Sequence, residues 1–160
     1  MKNTKGEWYL VSQFILIILH FLQGWPNNTY LNYEIYKYIQ ILGIIISSKG
    51  IINLIIAFHH LGDNLSVLPV PVENSTLITK KSYNKCRHPI YKELIYISLG
   101  IFVYKLSLFH LLLLIMLSYI LREKAIIEEK KLMVLHSSYK EYLETTPALI
   151  PYIPYLDWRS

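Results

Sequence analysis

The residues that most clearly suggest chemistry form the short segment KCRHPIY at positions 85–91, which adjoins a strongly apolar region. Pro89 predicts the start of a helix there, because proline suits the first helical position, where its missing N–H has no partner to lose. The free N–H groups of that helical turn would lie beside Arg87 and His88. A helix N-terminus flanked by basic side chains favours a polar or anionic ligand. The segment therefore predicts a polar binding pocket.

A second set of charged residues lies downstream in LREKAIIEEKKLMVLHSSYKEYLE, at 121–144, whose spacing predicts a helix. Glu128 lies on an otherwise apolar face, whereas Glu129 is expected nearer to solvent. A carboxylate on a buried face needs a partner. It is either paired with Lys124 or Arg122 or available to bind a ligand. The positions that share this face are Ala125, Glu128, Leu132, Leu135 and Tyr139.

The single cysteine, Cys86, excludes an internal disulfide. Its position next to His88 is only a weak signal for a nucleophile, since adjacent residues rarely converge on one substrate. The favoured interpretation is a small, half-buried side chain. The pair His59-His60 is expected at a membrane interface, and no metal site is predicted.

Hydropathy predicts the elements that position these residues. Of the 160 residues, 53% are hydrophobic, and the mean hydropathy is +0.32, which is high for a soluble domain. A membrane span needs about 20 apolar residues. The apolar run 94–121 is too long for one span, so it predicts a hairpin with its turn at Lys105. The first run lacks a signal-peptide cleavage pattern after it. Four spans are predicted, at about 8–25, 36–58, 90–104 and 107–121.

The distribution of positive charge predicts the topology. A net charge of +5 would suit a nucleic-acid-binding protein. The basic residues, however, are concentrated before the first span, between the second and third, and after the fourth. With four spans these segments share one side, which the positive-inside rule makes cytoplasmic. The sequence thus predicts a multi-pass integral membrane protein with cytoplasmic termini, in contact with membrane lipids and not with nucleic acid.

Lys49 is the one charge in the second apolar run, and a charge within a membrane span is a functional candidate. If the span runs from about Tyr33 to Ile52, Lys49 lies near its cytoplasmic end and can reach water, which is the favoured interpretation. Gly43 and Gly50 allow close approach of another helix in either register.

The loop 59–89 is the longest connection, and its prolines predict irregular, extended backbone. Loops of this length are usually functional. The predicted fold class is therefore an all-α integral membrane protein, 1–160, with about four transmembrane helices including a C-terminal helical hairpin. The cytoplasmic loop and amphipathic C-terminal helices at 122–146 are expected to form the pocket.

These residues resemble the isoprenylcysteine carboxyl methyltransferase family, whose members are integral membrane enzymes that use S-adenosylmethionine. RHPIY at 87–91 matches the family's RHPxY signature, and the resemblance extends from about Gly43 to Pro151. Phospholipid methyltransferases and membrane sterol reductases carry related patterns, so the further matches add specificity. These are Leu61, Gly62, Asn64, Leu77, Ile78, Thr79, Tyr83, Gly100, Glu128, Glu129, Leu132, Tyr139, Tyr142, Ile150 and Pro151.

The resemblance implies a cytoplasmic S-adenosylmethionine pocket closed by the loop, the start of the hairpin and the Glu-Glu helix. Glu128 resembles the family's acidic cofactor ligand. Lys124 matches its substrate-side arginine, with Arg122 half a turn away, and these two are the candidate catalytic residues. The other implied cofactor contacts are Ser75, Thr76, Leu77, Ile78, Tyr83, Arg87, His88, Pro89, Ile90 and Tyr91.

The favoured function is methyl transfer from S-adenosylmethionine to a lipid-like or prenyl-like carboxylate, with a lipophilic or lipidated substrate. Positioning and desolvation supply most of the acceleration of such a displacement. A carboxylate needs no base, only a cation such as Lys124 or Arg122. The alternative is a phospholipid or amine N-methyltransferase, which needs a base, for which His88 and Glu128 are candidates.

The chain departs from the family pattern at three positions. Lys81 and Glu93 stand where glycine is usual, and Ala148 stands where arginine is common. The first two departures leave a third hypothesis open, a non-enzymatic or inactive membrane protein. A nicotinamide-dependent reductase is a more distant alternative.

Overall fold

The computed structural model describes residues 6–25, 32–66, 68 and 76–159. Over these residues the regular structure is entirely helical, which confirms the all-α part of the predicted fold class. Two short 3-10 helices, Gly62–Asn64 and Lys81–Asn84, lie in the long connection. The α-helices are α1 (Glu7–Leu19), α2 (Tyr33–Leu61), α3 (Pro89–Lys105), α4 (Leu108–Leu135) and α5 (Tyr139–Thr145).

One helical segment among the described residues, Tyr33–Asn64, is long and apolar enough to cross a membrane. It has 32 residues, and its most apolar stretch has a mean hydropathy of 2.1. Only 17% of that stretch is buried within the protein, so most of its apolar side chains face outward. α1 is apolar but has 13 residues, fewer than the predicted span 8–25. Length and hydropathy thus support one candidate membrane span.

Lys49 lies exposed on α2. The helix continues to Leu61, about three turns beyond Lys49. Lys49 therefore lies within the helix and not at its end, and the position of the membrane boundary relative to Lys49 stays a prediction. The residues after Ile52 are strongly apolar and contain no proline or glycine before Gly62, so nothing ends the helix earlier.

α2 packs along α3 through glycines. A Cβ atom added to Gly43 would lie 2.5 Å from the backbone nitrogen of Tyr104, and one added to Gly100 would lie 2.6 Å from that of Ser47. Only glycine fits such contacts, because the two backbones approach each other directly. The predicted close approach at Gly43 is present in the structure.

α1 ends before the limit of the predicted span 8–25. After Leu19 the N–H groups of His20 and Leu22 donate to carbonyls three residues earlier, which tightens the chain into a turn. The Lys105 ammonium donates to the carbonyl oxygens of His20 and Leu22. The last carbonyls of α1 thus accept from the turn that follows, and those just beyond the helix accept from Lys105, so the helix can end here.

α3 and α4 form a helical hairpin that turns next to Lys105. Leu106 adopts a left-handed conformation, with φ 44°, and Ser107 precedes the first residue of α4. The Ser107 hydroxyl accepts a hydrogen bond from the N–H of Trp25 and donates to its carbonyl oxygen, each at 2.8 Å. These bonds attach the segment after α1 to the hairpin turn.

α4 is one continuous helix, which corrects the predicted division between helices 107–121 and 122–146. Its sequence holds no proline or glycine, and Glu, Lys and Ala at the expected boundary are strong helix formers. The helix ends before the polar His136–Ser138 segment. Leu135 is 54% exposed and Tyr139 begins α5, so neither belongs to the predicted apolar face of α4.

The core of the bundle follows one row of α4 residues spaced by four. They pack against Leu16 of α1 and against α3. The next position in the row is Glu129, so a carboxylate lies buried where this row reaches the end of the bundle. The members of the row are Leu113, Leu117, Leu121 and Ala125.

Candidate functional site

A cavity of about 320 Å³ lies at the end of the bundle where α3 begins. Its volume is within the range of small-molecule sites, roughly 300–1,000 Å³. The wall is formed by α1, the end of α2, the start of α3, the second half of α4 and α5. The predicted site residues that line it are Thr76, Leu77, Ile78, Tyr83, Arg87, His88, Ile90, Tyr91, Lys124 and Glu128.

Arg87, His88, Glu129 and Trp158 form a buried hydrogen-bond cluster beside the cavity, here called the closed network. Arg87 Nε lies 2.7 Å from Glu129 Oε1, and the side chain of each is at most 4% exposed. The guanidinium Nη1 also donates to the carbonyl oxygens of Leu143 and Thr146. Trp158 Nε1 donates to Glu129 Oε2 at 2.7 Å. Each oxygen of the Glu129 carboxylate therefore has a donor.

Glu129 also orients His88, whose Nε2 lies 2.9 Å from Glu129 Oε1. An ionised carboxylate only accepts, so this nitrogen carries a hydrogen. Nδ1 then faces Glu128, 3.8 Å from its Oε2. Burial alone would raise the pKa of Glu129, but hydrogen bonds and attraction from His88 and Arg87 lower it to about 2. Glu129 is thus ionised at neutral pH.

The segment after α5 fixes the backbone of this network. The N–H of Arg87 donates to the carbonyl oxygen of Pro147 at 2.9 Å, and the N–H of His88 donates to that of Ala148 at 3.1 Å. The main chain is therefore held in place just before Pro89 begins α3. Both side chains can then be oriented by a rigid support.

Glu128 faces the cavity, and its side chain is 29% exposed. Its Oε2 accepts a hydrogen bond from the Tyr91 hydroxyl at 2.8 Å. Tyr83 and Tyr142 line the cavity nearby, and burial raises the pKa of each, so both phenols are neutral at pH 7. A carboxylate among tyrosine rings suits a cationic ligand.

Lys124 lies on the cavity wall and is 3% exposed. Its Nζ donates to Gln13 Oε1 at 2.9 Å and lies 5.2 Å from the centre of the Tyr91 ring. Burial lowers the pKa of Lys124 to about 8, although the Glu128 carboxylate acts in the opposite direction. Among the described residues it forms no ion pair. The cavity thus contains a buried amine close to neutral pH.

Two buried donors on the cavity wall have no hydrogen-bond partner among the described residues. They are Arg87 Nη2 and the Tyr139 hydroxyl. Buried polar groups are nearly always bonded in folded proteins. A ligand with acceptor oxygens in the cavity would complete both.

The structure reverses the expected burial of the two adjacent glutamates. Glu129 is 3% exposed and lies in the closed network, whereas Glu128 faces the cavity and is partly exposed. The physical reason is that Glu129 continues the core row of α4. Glu128 nevertheless lines the cavity.

Arg122 does not line the cavity, which corrects the prediction that it acts beside Lys124. Its Nη1 pairs with Glu123, its Nε donates to the carbonyl oxygen of Tyr155, and its guanidinium lies 4.6 Å above the Tyr155 ring. Arg122 projects from α4 away from the face that carries Lys124. Its contacts hold the C-terminal segment.

Two further predicted contacts differ from expectation or cannot be placed. Pro89 is buried as the first residue of α3 and does not line the cavity, so it positions its neighbours. Ser75 lies outside the described residues.

Cys86 is 1% exposed, and burial raises the pKa of its thiol to about 11, which leaves it protonated and unreactive. In the described part of the chain no three His, Cys, Asp or Glu residues are placed to hold a metal.

Sequence reasoning missed the contribution of α1 to the cavity. Gln13, Phe14 and Ile17 all line it. The available signal was Gln13 itself, because a polar residue inside a predicted membrane span usually faces the protein interior.

A scan against models of protein families finds no match to the chain, and a search of curated proteins finds no significant match.

Proposed function

We propose that this chain is a multi-pass membrane methyltransferase that uses S-adenosylmethionine to methylate a lipophilic carboxylate. One observation carries the proposal. A single cavity joins an acidic, tyrosine-lined wall around Glu128 to a buried ammonium, Lys124, that forms no ion pair among the described residues. The first half suits a cationic cofactor and the second an anionic acceptor.

The cofactor half fits S-adenosylmethionine group by group. Glu128 and the tyrosine faces attract positive charge. The unpartnered donors, Arg87 Nη2 and the Tyr139 hydroxyl, suit the carboxylate and hydroxyl oxygens of the cofactor. Leu77 and Leu132 offer apolar surface to the adenine ring. These fits support the cofactor that the sequence resemblance implies.

When bound, the cofactor supplies a sulfonium methyl group, which forms a bond to an acceptor oxygen as its carbon–sulfur bond breaks and the electron pair stays on sulfur. An ionised carboxylate already carries the attacking lone pair, so no proton has to move. Lys124 compensates the anion as it leaves water. The rigid closed network keeps the cavity wall in place, and such positioning supplies most of the acceleration.

The proposed topology adds α1, α3 and the first half of α4 to the candidate span in α2. Supporting this, α1 and α4 expose large apolar side chains on their outer faces, an arrangement that water disfavours over large areas. The lysine-rich segments adjoin the cavity, which favours its cytoplasmic placement. The exposed apolar residues of these outer faces are Ile15, Ile18, Leu112, Ile115, Met116 and Tyr119.

Reporter fusions test this topology directly. A reporter inserted at Lys85 should lie in the cytoplasm and one at Lys105 on the opposite side. Finding both on the same side would overturn the four-span arrangement.

A specific observation also supports a second candidate, an amine N-methyltransferase. Glu129 holds the Nε2 hydrogen of His88, and Nδ1 faces Glu128 beside the cavity. A carboxylate that fixes the orientation of a histidine is a recurrent support for a general base. Such a base would remove the proton from an ammonium acceptor before transfer.

Methyl transfer to matched lipid carboxylates and lipid amines separates the candidates. We expect wild type to bind S-adenosylmethionine by calorimetry and to methylate the carboxylates. Lys124→Gln should retain cofactor binding and lose turnover, while Arg122→Gln, the matched control outside the cavity, should retain both. Turnover on amines alone, unharmed by Lys124→Gln, would establish the second candidate. Absence of cofactor binding would leave the non-enzymatic hypothesis.

A further inference from the structure

α1 supplies a polar group to the cavity for which the proposed reaction has no assigned role. Gln13 is 8% exposed on an apolar helix, and its Oε1 lies 2.9 Å from Lys124 Nζ. Phe14 and Ile17 of the same helix also line the cavity. α1 lies outside the region, 43–151, that resembles a known family, so the resemblance assigns no role to Gln13.

The charge at Lys124 is incompletely compensated. Among the described residues, the groups in contact with its ammonium are neutral: the side-chain oxygen of Gln13 and the face of the Tyr91 ring. An ammonium has three hydrogens to donate. A buried charge ordinarily needs a paired opposite charge. Burial accordingly lowers the pKa of Lys124 to about 8, even though the Glu128 carboxylate acts in the opposite direction. In the part of the chain that the structure describes, no anionic group is in direct contact with Lys124.

We propose, resting on the proposed function, that Gln13 and Lys124 form a two-residue clamp for the acceptor carboxylate and that Gln13 selects anionic acceptors. A glutamine amide carries both an acceptor oxygen and a donor nitrogen. Without an acceptor molecule, the oxygen receives the Lys124 hydrogen bond. With one bound, rotation of the amide turns its N–H towards the carboxylate that Lys124 also holds. Donors on two different helices then fix the direction of the attacking oxygen.

The clamp also distinguishes substrate from product. The carboxylate carries a negative charge and its methyl ester carries none. Methylation therefore removes the ion pair with Lys124 and leaves the contacts of the lipid tail unchanged. The product binds more weakly at this point than the substrate, which favours its release.

Gln13→Glu tests the clamp by placing a carboxylate of the protein in the position of the acceptor's carboxylate. The probe is N-acetyl-S-dodecylcysteine, with its methyl ester as the uncharged match, measured in one detergent. Wild type should bind the acid at least about tenfold more tightly than the ester, since hydrogen bonds to charged groups are the stronger ones. Gln13→Glu should lose this preference and lose turnover on the acid. Gln23→Glu, the same change at an exposed position beyond α1, should retain both.

A second variant separates the clamp from folding effects. Gln13→Ala removes one donor without adding charge, and should weaken binding of the acid about tenfold while leaving the ester unchanged. Gln13→Glu gains an internal ion pair with Lys124 and should melt no lower than wild type. An acid preference that survives in both variants would overturn the clamp.

Binding and turnover together distinguish this proposal from the proposed function. An acid preference that depends on Gln13, without methyl transfer, would support the clamp and overturn the methyltransferase. Methyl transfer to the acid that is insensitive to Gln13→Glu would support the methyltransferase and overturn the clamp. Equal binding of acid and ester by wild type would also overturn the clamp.

Discussion

Glu128 and Glu129 are neighbours on α4, but they belong to regions with different polar environments. In the closed network, both oxygens of Glu129 accept hydrogen bonds, from Arg87, His88 and Trp158. On the cavity wall, Glu128 is partly exposed and has one hydrogen bond, from Tyr91. A rotation of about 100° around the helix separates the two environments.

This difference shows how one helical turn can serve both stability and binding. In the closed network the protein satisfies its own polar groups, so the network fixes geometry and offers little to a ligand. On the cavity wall, Lys124 forms no ion pair, and the Tyr139 hydroxyl has no partner in the described part of the chain. Groups that the protein leaves incomplete are the ones that a ligand can complete. Arg87 belongs to both regions, because its Nη2 is also unpartnered.

The largest expected effect comes from breaking the closed network with Glu129→Ala. This change leaves the Arg87 guanidinium buried without its carboxylate, and removing one partner of a buried ion pair costs about 3–5 kcal/mol. We expect a large fall in the melting temperature of the detergent-purified protein. Cofactor binding should be lost together with the fold, not separately from it.

The matched control is Glu123→Ala on the same helix. Glu123 pairs with Arg122 at a partly exposed site, where ion pairs contribute at most about 1 kcal/mol. Equal melting temperatures for Glu129→Ala and Glu123→Ala would show that the closed network does not stabilise the bundle.

Glu128→Gln should give the converse result. The substitution keeps the size of the side chain and an acceptor for Tyr91, but removes the negative charge from the cavity. We expect the affinity for S-adenosylmethionine to fall at least about tenfold, since a hydrogen bond to a charged group contributes about 1.5–3 kcal/mol. The melting temperature should stay close to that of wild type. Calorimetry on the folded variant measures the first effect, and a large loss of stability would assign Glu128 to the structural network instead.

The sequence predicts the breaks in the helices better than their rotational phase. Pro89 and the Lys105-Leu106-Ser107 interruption are local signals, and the structure has a helix boundary at each. The continuity of α4 has no such signal, because strong helix formers span the expected boundary. The phase of Glu129 depends on a core row that begins in the hairpin. The prediction assigns the apolar face from the residues from 125 onward alone. It therefore identifies Glu128, and not Glu129, as the buried glutamate.

The contribution of α1 could be predicted only in part. A glutamine within an apolar run indicates that one face of the helix contacts protein. Its partner, Lys124, lies 111 residues away, and no periodicity in the sequence specifies which helix α1 packs against. The position of Arg122 has the same cause, because its contact with Tyr155 depends on the return of the C-terminal segment.

The pH dependence of Lys124 sharpens the comparison from the cavity side. Its pKa is about 8 in the folded protein, below the ordinary value of 10.5. Between these values the unfolded chain binds more protons, so the contribution of Lys124 to stability rises with pH across this window. Binding of an anionic acceptor should move in the opposite direction, weakening as pH rises above about 8, because the cation is lost. Lys124→Met should abolish both trends.

Melting curves and acid-probe titrations over this pH window, recorded as differences between wild type and Lys124→Met, measure the two trends. Lys140→Met is the control, since this lysine is exposed on α5 and does not line the cavity. Acceptor binding that does not depend on pH in wild type would mean that Lys124 does not hold the anion.

The smallest expected effect is that of Tyr91→Phe, which tests the boundary between the two regions. The Tyr91 ring stacks on the His88 ring with 5.4 Å between the ring centres, and the Tyr91 hydroxyl donates to Glu128. Phenylalanine preserves the stacking and removes the hydroxyl. We expect a change in stability of at most about 1 kcal/mol, because Glu128 is partly exposed and water can replace the lost donor. The affinity for S-adenosylmethionine should fall severalfold, less than in Glu128→Gln, as the carboxylate loses its fixed orientation. Tyr96→Phe, at an exposed position on the same helix, should change neither quantity.

A double-mutant cycle decides whether the Tyr91 hydroxyl acts through Glu128 or on the cofactor itself. If it only orients the carboxylate, Tyr91→Phe should have no further effect on cofactor affinity once Glu128 is Gln, so the two changes should be strongly non-additive. If the loss is the same in both backgrounds, the hydroxyl contacts the cofactor directly. In that case the cavity wall would contain a second independent polar contact, and the contrast with the closed network would no longer depend on Glu128 alone.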